Sequence, residues 1–183
     1  MIVLHPGDYA SSKEDLVICT VLGSCIAVVL WDRRLGFAGM NHFMLPRNAR
    51  PEAFFEESGK YGINAMELLI NDMLKKGSRR EDLDAKVFGG GHVLATVANS
   101  NIMSRVPENN IAFALKFLKD EGFKILSSDV GGSQGRKIFV FATSGKVLLK
   151  RLGAERVLEV EKEEEAYEAA LHRPQSGNNV TLF

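Results

Sequence analysis

From Leu16 to Leu22 the residues are almost continuously aliphatic or β-branched, and the same holds from Ile26 to Trp31. Short apolar runs of this kind, bounded by turn formers, predict strands, and the Gly23-Ser24 pair between them predicts a kink or bulge. The polar stretch from Asp32 to Gly36 is a turn signal, after which "FAGMNHFML" predicts a strand that returns antiparallel to the first as a hairpin. Pro46 to Glu57 is polar and proline-bounded, long enough for a segment that covers a site.

The period then changes. In "YGINAMELLINDMLKKG" the residues Ile63, Met66, Ile70 and Met73 recur at helical spacing, Leu69 and Leu74 widen the stripe, and Gly77 is the stop. A second helix is expected after Pro107, with Asn109 or Asn110 as cap, Ile111, Leu115 and Leu118 as its stripe, and Gly122 as its end. Between them "AKVFGGGHV" predicts a short strand running into a glycine loop. Further strands are expected at Phe123–Leu126, Ile138–Ala142 and Val147–Leu152, separated by "DVGGSQGR" and by the tight turn "TSGK". From Glu159 the chain is acidic and helix-favouring, and its last ten residues have the makeup of a loose tail. No 20–50-residue repeat is visible. Strands outnumber helices and do not alternate with them, which favours an α+β layered fold over a doubly wound sheet.

Composition narrows the function classes. A chain of 183 residues with 45% hydrophobic and 25% charged positions suits one soluble globular domain. Lys plus Arg and Asp plus Glu both number 23, and no basic block stands out, so nucleic acid is not an expected partner. The opening "MIVLHPGDYASS" lacks a signal-peptide pattern, and no stretch approaches the roughly 18 apolar residues of a membrane span. The expectation is a cytoplasmic protein, not an integral membrane one. Cys19 and Cys25 are too few for a disulfide framework and lack C-x-x-C spacing, so both thiols are expected free.

The chemistry gathers at Cys25. A cysteine attacks as thiolate, and a thiol with its ordinary pKa needs a nearby base to be reactive at neutral pH. Counting outward from Arg34, Cys25 lies nine residues back and His42 eight residues forward, so the hairpin brings them onto adjacent strands. The glycine before Ser24 permits a tight backbone path, and exposed N–H groups of Ser24 and Cys25 can stabilise an oxyanion. Such an arrangement suits acyl transfer. The bland alternatives stay open at this point: Cys25 as a small core hydrophobe, and His42 as a hydrogen-bonded structural group at a strand end.

The segments "TVLGSCIAVVLWD", "GFAGMNHFMLP", "YGINAMELLINDML", "AKVFGGG" and "DVGGSQGRKIFVFATSGKVLLKRL" together resemble the CheD family, the chemoreceptor glutamine deamidases of bacterial and archaeal chemotaxis. The resemblance runs from about Ile2 to Leu152 in order and spacing. It implies a layered β-sandwich flanked by helices, similar to the catalytic fold of the cytotoxic necrotising factors. It also implies Cys25 as nucleophile, His42 as general base and acid, and a threonine on the preceding strand as third group. Counting back by the family's spacing lands on Cys19, with Thr20 the neighbouring hydroxyl. Thr20 serves if the Gly23 kink absorbs a one-residue shift; otherwise a backbone carbonyl or Asn41 orients His42.

The implied reaction converts selected glutamines on cytoplasmic chemoreceptor helices (methyl-accepting chemotaxis proteins) to glutamate through a cysteine thioester, with no cofactor and no metal. A CheC-type chemotaxis phosphatase is a second implied partner, and a non-enzymatic regulator of that phosphatase is the competing reading. The family-like domain is expected at 1–158, with an acidic helical extension and tail at 159–183. Of the remaining motifs, "GGGH" at Gly89–His92 lacks the elements of a P-loop and reads as close backbone approach or as cleft lining. Cys19, Cys25, His42 and His92 have zinc-ligand types without a short-spaced pair. "GGSQGR" reads as a wide turn. The acidic run Glu161–Glu168 reads as a solvated helix face.

Overall fold

A computed structural model of the chain describes residues 1–46, 57–93 and 105–153, together with five helical positions further on: Lys162, Glu164, Ala166, Tyr167 and Ala169. The expected covering loop after Pro46 and the C-terminal tail lie outside the described residues. The elements run β1 (Ile2–Val3), β2 (Tyr9–Ser12), β3 (Val17–Leu22), β4 (Ile26–Asp32), β5 (Phe37–Asn41), α1 (Glu57–Lys75), β6 (Leu83–Gly89), α2 (Val106–Asp120), β7 (Lys124–Val130), β8 (Arg136–Phe141) and β9 (Val147–Arg151). They form an α+β domain of three layers. One sheet has the order β1-β3-β8-β9 and the other β2-β5-β4-β6-β7. Within them β1 pairs with β3, and β6 with β7, in parallel; the other pairs are antiparallel.

The apolar run of β4 is unbroken because the strand sits in the middle layer, covered on both faces. Ile26, Val28 and Leu30 pack against Met66, Leu69, Ile70 and Met73 of α1 and Phe113, Phe117 and Leu118 of α2. The alternate residues Ala27 and Val29 face the second sheet, where they meet Ile18, Leu22, Ile138 and Val140. Period-two alternation thus feeds two separate cores from one strand. The β4–β5 hairpin has the expected sense, with Val29 opposite Met40 and Asp32 opposite Phe37.

Two features depart from the sequence expectations. The strands β1 and β2 are too short to carry a periodic signal, and β1 is held mainly by pairing Ile2 with Ile18 and Val3 with Cys19. Helix α2 starts at Val106, with Pro107 in its first turn, where a residue without an N–H costs no intrahelical bond. Asn109 and Asn110 are therefore buried inside the helix and are not its caps.

Candidate active site

The kink expected at Gly23-Ser24 is the point where the chain leaves one sheet and enters the other, since β3 and β4 belong to different layers. A crossing of this kind strips three consecutive peptides of ladder partners, and each carbonyl is recaptured. The Gly23 carbonyl accepts from Gly91 N–H at 2.7 Å and the Cys25 carbonyl from Gly90 N–H at 2.7 Å. The Ser24 carbonyl accepts from Asn110 Nδ2 at 2.9 Å. The glycine loop after β6 is needed for this approach: Gly89 has φ +117°, and a Cβ there would stand 2.1 Å from the Cys25 carbonyl oxygen. The loop lies backbone to backbone against the turn, as the close-approach reading of "GGGH" expects.

With the carbonyls so tied, the three N–H groups point together to the other side. They converge on the carboxylate of Glu164, with Gly23 N at 3.2 Å, Ser24 N at 3.2 Å and Cys25 N at 3.1 Å. Ser24 Oγ donates to the same carboxylate at 2.6 Å. Successive amides aimed at one point form an anion-binding nest, the geometry that holds an oxyanion. The expected donors Ser24 and Cys25 both belong to it, joined by Gly23. Of the acidic run read as a solvated face, Glu164 is buried, because these four donors supply what water would otherwise give it.

The hairpin register fixes the relation between Cys25 and His42. Ile26 and Phe43 form an antiparallel bridge with both hydrogen bonds at 2.9 Å, and both side chains face the helices. Cys25 and His42, each one residue earlier, turn to the opposite face, toward the second sheet. They occupy diagonal positions of the pair, a separation of roughly 7–8 Å between backbones that long side chains span.

Thr20 reaches the same place from the other sheet. Its Oγ1 donates to the Leu4 carbonyl at 2.7 Å and lies 2.8 Å from His42 Nδ1. A hydroxyl has one proton, so Nδ1–H must be the donor to Thr20, which leaves the Nε2 lone pair as the basic site. Nε2 is buried with no hydrogen-bond partner among the described residues. The hydroxyl that meets His42 is thus that of Thr20. Cys19, at the adjacent and oppositely directed position, does not bond His42. Asn41 is occupied elsewhere: its Oδ1 accepts from Val28 N–H and its Nδ2 donates to the Ala65 carbonyl, linking β5 to β4 and α1.

Burial sets the protonation states. It pushes the Cys25 thiol well above its ordinary range, and the Glu164 charge and hydrogen bond raise it further. It lowers the His42 imidazole to about 4, against the opposing pull of the Leu4 carbonyl and Asp8, with His5 adding to the lowering. Neutral thiol and neutral imidazole make a resting pair. Nearby, His92 Nε2 lies 2.7 Å from Glu108 Oε1. Among the described residues no three His, Cys, Asp or Glu side chains converge as a metal set, so Cys19, Cys25, His42 and His92 do not share one. Arg136, from the "GGSQGR" turn, is almost fully buried and ties Asp129 and the Gly131 carbonyl together beside the glycine loop.

Sequence reasoning missed Glu164 and Asn110. Asn110 carried the visible signal of a polar residue beside a helical stripe, which reads equally as a cap. Glu164 carried none, being one of several glutamates in a row.

Comparison with known proteins follows the same lines. The profile of the family described as "CheD chemotactic sensory transduction" matches residues 44–151. A relative named "Probable chemoreceptor glutamine deamidase CheD 1" from Albidiferax ferrireducens is 46% identical over 97% of this chain and 73% of its own length. "Probable chemoreceptor glutamine deamidase CheD" of Methylobacillus flagellatus is 41% identical, covering 97% of this chain and 87% of that one. A Shewanella oneidensis relative with the name "Probable chemoreceptor glutamine deamidase CheD 1" is 40% identical, over 97% and 85% respectively.

Proposed function

The chain belongs to the CheD family, and from that premise we propose that it deamidates glutamine side chains of chemoreceptors with Cys25 as nucleophile, His42 as base and acid, and Thr20 as the group that orients His42. The observation that carries this reading is the nest at 23–25: Gly23 and Cys25 N–H share one oxygen of the bound carboxylate and Ser24 N–H takes the other, beside a thiol and on the same face as an imidazole nitrogen with no partner among the described residues.

The chemistry runs as an acyl transfer. Nε2 of His42 takes the thiol proton, and Cys25 Sγ adds to the amide carbon of the glutamine while the Gly23, Ser24 and Cys25 N–H groups hold the oxyanion. The C–N bond then breaks, His42 returns the proton to the leaving nitrogen, and ammonia departs. Water, deprotonated by the same imidazole, attacks the thioester carbon; the C–S bond breaks and glutamate and thiol are formed. Each proton moves through one imidazole, so no cofactor is invoked.

Family membership extends the proposal to cytoplasmic receptor helices as substrate, to a CheC-type phosphatase as second partner, and to a cytoplasmic setting. Among the described residues no helix is long and apolar enough to cross a membrane. The division into a deamidase domain at 1–158 and an extension at 159–183 is part of the same proposal. The test is incubation with a glutamine-bearing receptor fragment, followed by mass spectrometry for site-specific amide-to-acid conversion. Conversion is expected with the native chain and absent with Cys25→Ala; equal conversion by both rules the mechanism out.

A further inference from the structure

The nest described above is filled by the protein's own chain. Glu164 lies about 140 positions beyond Ser24 in sequence, and its carboxylate receives all three amides and the Ser24 hydroxyl. A glutamate side chain is also what the proposed reaction makes from glutamine. The group in the site therefore has the chemistry of the product, seated where the product's carboxylate would form.

The presentation is helical. Tyr167, one turn beyond Glu164, is half-buried and packs on the core between the two sheets. It closes on the β1–β2 loop so tightly that a Cβ on Gly7 would stand 3.0 Å from its ring. Lys162, Ala166 and Ala169 are exposed. Glu164 and Tyr167, at i and i+3, thus form one docked face, with Lys162, Ala166 and Ala169 turned away from it. With the segment in place Cys25 has no exposed surface, so no other side chain can reach the sulfur.

We propose that this C-terminal helical segment is an autoinhibitory product mimic: Glu164 fills the acceptor position in cis, Tyr167 anchors the segment one turn away, and a substrate helix reaches Cys25 only after the segment leaves. A glutamate suits the role because it has no amide to lose, so the catalytic pair cannot turn it over. The inference rests on the deamidase reading for the meaning of "product", but the occlusion of Cys25 is independent of it.

The reasoning makes the Glu164→Gln variant an internal substrate. Cys25 would add to the amide carbon of that glutamine, ammonia would leave with a proton from His42, and water would release the thioester to restore glutamate. The experiment uses full-length protein. Peptide mass spectrometry at position 164 is expected to show conversion to the acid in Glu164→Gln and an intact amide in Glu164→Gln/Cys25→Ala. In parallel, iodoacetamide labelling of Cys25 is expected to be at least about ten-fold faster in Glu164→Ala and Tyr167→Ala than in the native chain, as an opening equilibrium shifts. Cys19 is the internal control, because unfolding would accelerate both thiols. Deamidation of a receptor fragment is expected to rise in the same two variants.

Unchanged Cys25 labelling in both variants overturns the occlusion. A persistent amide at position 164 in a protein that still deamidates the receptor fragment overturns the product mimicry. Faster Cys25 labelling with no deamidation of any glutamine leaves the occlusion standing and removes the deamidase reading instead.

Discussion

The Thr20 hydroxyl stands 2.8 Å from Nδ1 of His42 while giving its only proton to the Leu4 carbonyl 2.7 Å away. That chain of two hydrogen bonds decides the tautomer of the imidazole and spans both sheets, with Leu4 and Thr20 on one side and His42 on the other. Thr20→Val keeps the shape and removes both bonds. The deamidation rate is expected to fall roughly a hundred-fold, the lower end of what a positioned base contributes. Thr20→Ser should retain most of it. A Thr20→Val enzyme with native kcat would remove the orienting role.

The buried imidazole also ties stability to pH. The folded-state pKa of His42 is lowered from 6.5 to about 4, so the folded protein binds fewer protons than the unfolded chain between those values. Stability from this group is complete above pH 6.5 and is lost as pH falls toward 4, a change on the order of 3 kcal/mol. Urea midpoints compared at pH 7 and pH 4.5 should show a smaller drop in His42→Gln than in the native protein. Equal drops would mean that His42 is not held neutral by burial.

Asn110 holds the Ser24 carbonyl with Nδ2 and accepts from Leu45 N–H with Oδ1, at 2.9 and 2.8 Å. It therefore sets the tilt of the Ser24–Cys25 peptide, whose N–H belongs to the nest. Asn110→Asp keeps the acceptor and deletes the donor, leaving a carboxylate against a carbonyl oxygen. Stability is expected to drop by about 1–3 kcal/mol, the cost of an unsatisfied buried group. The turnover number should fall more than KM rises, since the oxyanion forms only in the transition state. A pure KM effect would argue that the nest binds ground state and transition state alike.

Two glycines with positive φ should respond very differently to alanine. Gly89→Ala drives a Cβ to 2.1 Å from the Cys25 carbonyl oxygen, whereas Gly122→Ala meets nothing within 4 Å. The second substitution should cost about 1–2 kcal/mol, the strain of the left-handed conformation alone. The first should exceed about 4 kcal/mol or prevent folding, because backbone must move. Thermal denaturation of the two variants side by side measures the difference, and equal losses would show that the loop is not clamped on the turn at 23–25.

The strand–kink–strand–return order, the two helices and the facing of Cys25 and His42 were legible in the sequence. All of these rest on local periodicity, and a hairpin turn converts a count of residues into a register. The start of α2 was not, because Pro107 inside the first turn and a buried Asn110 follow from packing against the turn at 23–25 rather than from any cap signal. Choosing between Cys19 and Thr20 needed the tertiary structure too. Adjacent residues of one strand differ only in the face they present, and β3 proves to be in a different sheet from the strand that carries Cys25.

Glu164 marks the limit most clearly. In sequence it is one glutamate among many, on a segment whose composition says only that it is helical and acidic. Its burial depends on three amide hydrogens and the Ser24 hydroxyl, presented at a sheet crossing some 140 residues earlier. Period and spacing are properties of neighbouring residues and can be read along the chain; the meeting of a distant carboxylate with an empty nest is a property of the folded surface, and only the assembled layers create it.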